Sequence, residues 1–325
     1  MPARPSICAA LIMLAGCISL GKGPDETDVS ARAHGAAETA EADAPAPTLM
    51  SWGDLTGRPL PEPSTSVRTG AGESDIVDVW LPEGAGPHPV VLMVHGGCWQ
   101  KEIADRTLMN YAAKALRDEG MAVWNIEYRG VDETGGGYPG TFEDVARAVD
   151  ALRTQGPGLG LDTSNIAAIG HSAGGHLALW AAARHRLAET SPLYDEVPFP
   201  IAGVVNTGGL ADLEASASVT QAGCLADIMD TLTGAPSEGR ANVLSDTSPA
   251  ELLPIGVRQV SVNGGNDQIA PPVLGQGYTA RAAAAGDDAS YVEVAETGHV
   301  ELVAPGTAAF DRQVAILKGM LGIAD

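Results

Sequence analysis

Residues 169–180 read IGHSAGGHLALW. An apolar run, NIAAIG (165–170), leads into them, and a run of alanine, leucine and tryptophan follows. Between the two, Ser172 stands between His171 and Ala173, with Gly170 and Gly174 one step further out. A strand that turns at once into a helix needs a sharp corner, and small residues are what such a corner permits. A hydroxyl at the apex stands clear of the strand end. The next amide, Ala173, opens the helix, where unpaired N–H groups can face a developing anion. A five-residue glycine pattern is weak by itself, because any tight strand-to-helix turn can produce it. The strand before Ser172 and the helix after it supply the context a nucleophile elbow requires.

The rest of the chain repeats that rhythm. DIVDVWLP alternates in strand fashion, while PVVLMV (89–94) is a continuous apolar run of the kind buried on both faces. RTLMNYAAKALRDEG spaces Leu108, Tyr111, Ala112 and Leu116 at helical intervals and stops at Gly120. MAVWNIEY is strand-like. TFEDVARAVDALRTQG reads as a helix with Thr141 at its N-cap and acids in its first turn. IAGVVNTGG, VRQVSVNGG and SYVEVAE add strands, with helices expected over 273–285 and 308–321. The alternation implies an α/β fold with a mostly parallel central sheet and helices on both faces. Residues 210–253 break the rhythm. They are expected to form a partly helical lid insertion over the carboxyl edge of the sheet, where open α/β sheets bind ligands.

Three further segments end strand-like runs with chemistry-bearing residues. HGGCW (95–99) places Gly97, with Gly96 as the near alternative, where a second amide could meet an oxyanion. His95 reads as a packed loop residue rather than a catalytic one. Trp99 is a candidate wall of a substrate pocket, and core packing accounts for it equally well. GGNDQ puts Asp267 just after a late strand, able to accept an imidazole Nδ1–H or simply to cap a turn. ETGHVEL puts His299 in the loop after the last clear strand, within reach of Ser172. The order Ser172, Asp267, His299 is expected for a nucleophile on this kind of elbow.

These features together resemble the α/β-hydrolase superfamily, over about residues 77–321. HGGCWQ, GHSAGGHLALW and the late ND and GH segments resemble its esterase/lipase branch with an HGG oxyanion loop, and in particular kynurenine formamidase-like and bacterial feruloyl-esterase-like proteins. The resemblance implies a serine hydrolase that cleaves carboxylic esters, short-chain or aryl, through Ser172, His299 and Asp267. Arylformamidase chemistry is the alternative. A surface-anchored binding protein that has lost turnover is the reading from a different class, and the intact Ser172, Asp267 and His299 weigh against it. The substrate is expected to be a small-molecule ester or amide.

The chain of 325 residues carries a formal net charge of −22, which excludes a phosphate backbone as partner. His171 and His176 flank the elbow at a spacing that matches no zinc signature, and His176 is expected to pack or cap on its helix. GPGLGL (156–161) lacks the strand a dinucleotide loop needs. No metal or cofactor is expected.

The N-terminus has a different character. MPARPSICAALIMLAGC holds one short apolar run, right for a secretory segment and too short to span a bilayer. LAGC (14–17) resembles the lipobox of bacterial lipoproteins. That resemblance implies a signal peptide over 1–16, lipidation at Cys17, and a protein exported and lipid-anchored to a bacterial cell-envelope membrane. It also marks a departure from the formamidases, which are intracellular, so fold and chemistry carry over more safely than substrate. Residues 17–50, rich in Ala, Glu, Asp and Pro, read as a flexible acidic tether, with the catalytic domain over 51–325. Of the four cysteines, Cys8 falls in the signal and Cys17 takes lipid. Cys98 and Cys224 remain, in an oxidising setting, as a disulfide or as two buried thiols.

Overall fold

The computed structural model describes residues 47–323. The signal-like segment, Cys17 and the tether up to residue 46 lie outside the described residues. One sheet of eight strands organises the rest, in the order β1-β2-β4-β3-β5-β6-β7-β8. The strands are β1 (Thr65–Arg68), β2 (Ile76–Trp80), β3 (His88–Val94), β4 (Ala122–Ile126), β5 (Leu161–His171), β6 (Gly203–Thr207), β7 (Arg258–Gly264) and β8 (Ala289–Val294). β1 and β2 pair antiparallel at one edge, and every pairing from β4 to β8 is parallel. The short β1, largely exposed, has no clear apolar pattern and was not anticipated from the sequence.

The central strands divide their side chains between two cores with the strand period of two. Val90, Leu92 and Val94 of β3 face one core, while Val91 and Met93 face the other. The first core is completed by α3 (Gly140–Gln155), α4 (Ala173–Ala183) and α7 (Pro272–Ala285). The second is completed by α1 (Trp52–Thr56), α2 (Asn110–Asp118) and α8 (Ala308–Leu321). All of α4 is buried. A helix apolar on every side has to lie inside, and each of its large side chains contributes about 1.5–3 kcal/mol on burial. One expectation fails: α3 starts at Gly140 and Thr141 does not cap it. The Thr141 hydroxyl instead donates to the Arg129 carbonyl at 2.5 Å and accepts from the Gly137 amide at 2.9 Å, tying the preceding loop to the helix.

The topology fixes where a ligand can go. The chain passes from β3 to β4 on one side, then returns to place β5 on β3's other side. At such a reversal the loops leaving the two strands part and open a crevice above their carboxyl ends. The loop after β3 carries Gly96 and Gly97, and β5 ends one residue before Ser172. Between β6 and β7, the irregular segment that includes α5 (Leu213–Ala217) and α6 (Met229–Thr233) supplies residues to the same crevice. Among the described residues no helix is long and apolar enough to cross a membrane.

Candidate active site

Ser172 sits at φ 55°, ψ −121°, between the end of β5 and the start of α4. That left-handed φ is costly for a residue with a Cβ, and here the surroundings enforce it. The Ser172 amide donates to the Thr207 carbonyl at 3.0 Å, and its carbonyl accepts from the Gly175 amide at 2.9 Å. A Cβ on Gly174 would collide with the Val94 and His95 carbonyls, so the helix can start this close to β3 only with glycine there.

The loop after β3 is bent harder still. Gly97, Cys98 and Trp99 all have positive φ, at 105°, 52° and 54°. Cys98 and Trp99 each cost about 1–2 kcal/mol in that region. Two anchors offset this cost. Cys98 forms a disulfide with Cys224 of the segment between β6 and β7, with Cα atoms 4.9 Å apart, which resolves the choice the sequence left open. Trp99 turns inward and is fully buried, its Nε1–H donating to His176 Nδ1 at 3.2 Å. Trp99 therefore belongs to the core and not to a pocket wall, a correction of one of its two sequence readings. His176 is held from its other side by donating from Nε2 to the Thr247 carbonyl at 2.7 Å, so it packs and does not cap. Burial lowers its pKa to about 4. His95 is buried as well, stacked on Tyr128 with ring centroids 4.2 Å apart. Its Nε2 lies 2.8 Å from Glu127 and its Nδ1 2.7 Å from the Gly96 carbonyl, so it braces the loop. Burial alone would raise Glu127, but His95 and Lys101 outweigh it and hold the carboxyl well below the usual range.

A cavity of about 490 Å³ opens over these turns. Ser172, His299 and Gly97 all line it. Gly96 does not; it packs under the elbow, where a Cβ would come 2.8 Å from His171 Nδ1 and 3.1 Å from Ser172 Cβ. Ala173 is buried at the first turn of α4, where its N–H has no intrahelical partner. Among the described residues, neither the Gly97 nor the Ala173 amide donates to another protein group outside regular elements.

His299 Nδ1–H donates to Asp267 Oδ2 at 2.6 Å. The other oxygen of Asp267 accepts from the Ile269 and Ala270 amides at 2.8 and 2.9 Å, which fixes the carboxylate's orientation. With Nδ1 committed, His299 has Nε2 left for exchange. Ser172 and His299 share the cavity without a hydrogen bond between their side chains, a separation common before substrate binds. Among the described residues no group of three His, Cys, Asp or Glu is arranged to hold a metal.

Two contributors escaped the sequence reading. His171 lies with its ring 4.3 Å from that of His299 and donates from Nε2 to the His299 carbonyl at 3.2 Å. Burial, together with the neighbouring His299, pushes its pKa well below the ordinary imidazole value. Trp52, on α1, stands edge-on to both rings at 6.2 Å from His299 and 6.1 Å from His171. The signal for α1 was present as Ser51 and Asp54, which form a reciprocal capping box, but the helix is too short to show a period.

Comparison with known proteins agrees with this architecture. Among solved structures of the same fold, Esterase B from Lactobacillus Rhamnosis (HN001) superposes with a TM-score of 0.66 at 18% identity, covering 80% of this chain and 86% of that one. Bacterial Heroin Esterase gives 0.62 at 22%, over 80% and 84%. A truncated carbohydrate esterase from gut microbiota gives 0.63 at 19%, over 80% and 97%. A curated relative, Non-reducing polyketide synthase atr1 of Stereocaulon alpinum, is 31% identical over 116 residues, 33% of this chain. The chain spans only 5% of that protein's length. The BD-FAE family model matches residues 77–273, more than half of the chain and including Ser172, Gly97 and Asp267. By that match the chain belongs to the BD-FAE family, a family of α/β-hydrolase esterases.

Proposed function

We propose that the protein is a serine hydrolase that cleaves short-chain or aryl carboxylic esters through an acyl-enzyme, with Ser172 as nucleophile. The observation that carries this reading is the 2.6 Å bond from His299 Nδ1 to Asp267 in the cavity that Ser172 lines. His299 Nε2 takes the Ser172 proton as Oγ attacks the ester carbonyl carbon. The carbonyl electrons move to oxygen, which the Gly97 and Ala173 amides stabilise, each such donor contributing roughly 3–4 kcal/mol. Collapse breaks the bond to the alcohol oxygen, and the imidazolium returns its proton to that oxygen. Water, deprotonated by the same nitrogen, then releases the acid and regenerates Ser172. Asp267 keeps His299 in the Nδ1–H tautomer and faces the imidazolium that forms between steps.

A fluorophosphonate probe should label the wild-type protein at Ser172, and Ser172→Ala should lose labelling and several orders of magnitude in kcat toward p-nitrophenyl acetate with its melting temperature kept. Near wild-type turnover by Ser172→Ala would overturn the assignment. N-formylkynurenine in the same assay separates ester from arylformamide preference.

A further inference from the structure

We propose that Trp52 is a specificity-determining residue that forms the alcohol side of the cavity and favours esters of flat, aromatic alcohols. This deepens the serine-hydrolase reading above and rests on it.

In that reading, His299 passes a proton from Ser172 to the departing alcohol oxygen. The alcohol must therefore lie against the exposed edge of that imidazole. Trp52 is the large apolar side chain that both lines the cavity and stands edge-on to His299, at 6.2 Å. Gly97 and Cys98 of the loop after β3 line the same cavity. An indole offers an aryl group both apolar contact area and a favourable offset or edge geometry that an alkyl alcohol cannot match. Thr56, one turn further along α1, lines the cavity with it.

The wall is held in place. Ser51 and Asp54 cap α1 reciprocally. The Met50 amide donates to Glu301, whose other oxygen accepts from the Gly298 amide at 3.1 Å, next to His299. Tyr111 donates to the Arg58 carbonyl at 3.3 Å, and the Arg58 guanidinium donates to the Pro305 carbonyl at 3.3 Å. Trp52 is nevertheless only half-buried, so it retains surface for a ligand. It also lies outside residues 77–273, the part matched by the family model.

The test compares Trp52→Ala, Trp52→Leu and Trp52→Phe with wild type on two ester series. In the first, acetyl is constant and the alcohol is ethanol, phenol or 2-naphthol. In the second, p-nitrophenol is constant and the acyl group is acetyl, butyryl or hexanoyl. Mutant-to-wild-type ratios cancel intrinsic reactivity. Trp52→Ala and Trp52→Leu should lower kcat/KM for the aryl acetates about tenfold more than for ethyl acetate, and Trp52→Phe should recover most of the loss. The acyl series should fall by one common factor. Every acetate gives the same acetyl-enzyme, from which the alcohol has left, so its hydrolysis rate should not change. Equal losses for ethyl and aryl acetates, or losses that vary with acyl length at constant alcohol, would overturn the proposal. So would loss of fluorophosphonate labelling in Trp52→Leu with the fold intact, because a wall is not needed for that reaction. Should Trp52→Ala not fold, Trp52→Leu and Trp52→Phe decide. Failure of the wild type to label at Ser172 would instead remove the serine-hydrolase reading itself.

Discussion

Removing the Cys98–Cys224 disulfide should damage both stability and turnover, by amounts that follow from where it lies. The bond closes a loop with a sequence separation of 126 residues. In the chain-entropy treatment such a closure stabilises the fold by about 5 kcal/mol. At roughly 2–4 °C per kcal/mol for a domain of this size, Cys98→Ala/Cys224→Ala should melt on the order of 10 °C below the parent. The effect on rate has a separate origin. Cys98 and Trp99 are held at positive φ beside Gly97, and once the bond is gone Trp99's burial, its hydrogen bonds with His176 and Val131, and the His95 brace are left to hold the turn. In the proposed mechanism, relaxation of the turn moves the Gly97 amide off the oxyanion, at a cost of up to about 3 kcal/mol, or ~10²-fold in kcat. Calorimetry and steady-state hydrolysis of p-nitrophenyl acetate should be run on three samples: oxidised parent, parent in dithiothreitol and the double variant. The last two should agree with each other and differ from the first. A double variant that melts within about 2 °C of the parent and turns over within about twofold would refute the reasoning.

Two further outcomes follow from the same geometry. Gly97→Ala puts a Cβ 2.8 Å from the Ala104 Cβ at a φ of 105°, so kcat should fall about 10²-fold while fluorophosphonate labelling slows in parallel; unchanged labelling would remove Gly97 from the oxyanion site. His171 and His176 are buried neutral, the latter with its pKa lowered to about 4, whereas in the unfolded chain both titrate near about 6.5. The unfolded chain thus binds more protons below about pH 6.5, and the contribution of both groups, whole above that pH, is lost as pH falls below it, for His176 down to about 4, by up to ~1.4 kcal/mol per pH unit for each. Calorimetric unfolding at pH 5 in buffers of different ionisation enthalpy should show proton uptake, and none would count against the burial of these imidazoles as neutral rings.

Legibility in the sequence followed periodicity and glycine. β3 could be read because a strand buried on both faces is an unbroken apolar run, β7 because its valines alternate, and the elbow because GHSAG compresses a strand end and a helix start into five residues. Asp267 and His299 were found from their positions after strands, not from any local pattern around them. What escaped is what has no period. β1 is short and largely exposed, α1 is a single turn, and Thr141 serves a loop through its hydroxyl although its place beside two acids suggests a cap. Trp99 was ambiguous because a one-dimensional reading gives the residue's neighbours and not its φ. At 54° the side chain is directed into the core, and from there its indole fixes His176.

The N-terminal arm gives the molecule a division of labour along its length. Residues 47–58 add no strand to the sheet, yet they reach the loop that carries His299 through contacts some 250 positions distant in sequence, Met50 to Glu301 among them. They are joined to the sheet by residues 57–63, with prolines at 59, 61 and 63, exposed except for the half-buried Pro61 and Pro63. Leu55 is tied to β3 and β5 through the second core, but the other side chains of this segment can change without renegotiating the packing of β3, β5 and α4. If Trp52 selects the alcohol as proposed, substrate range and bond-breaking can drift at different rates, the first set by a short segment ahead of the first strand and the second by the crowded turn at Ser172.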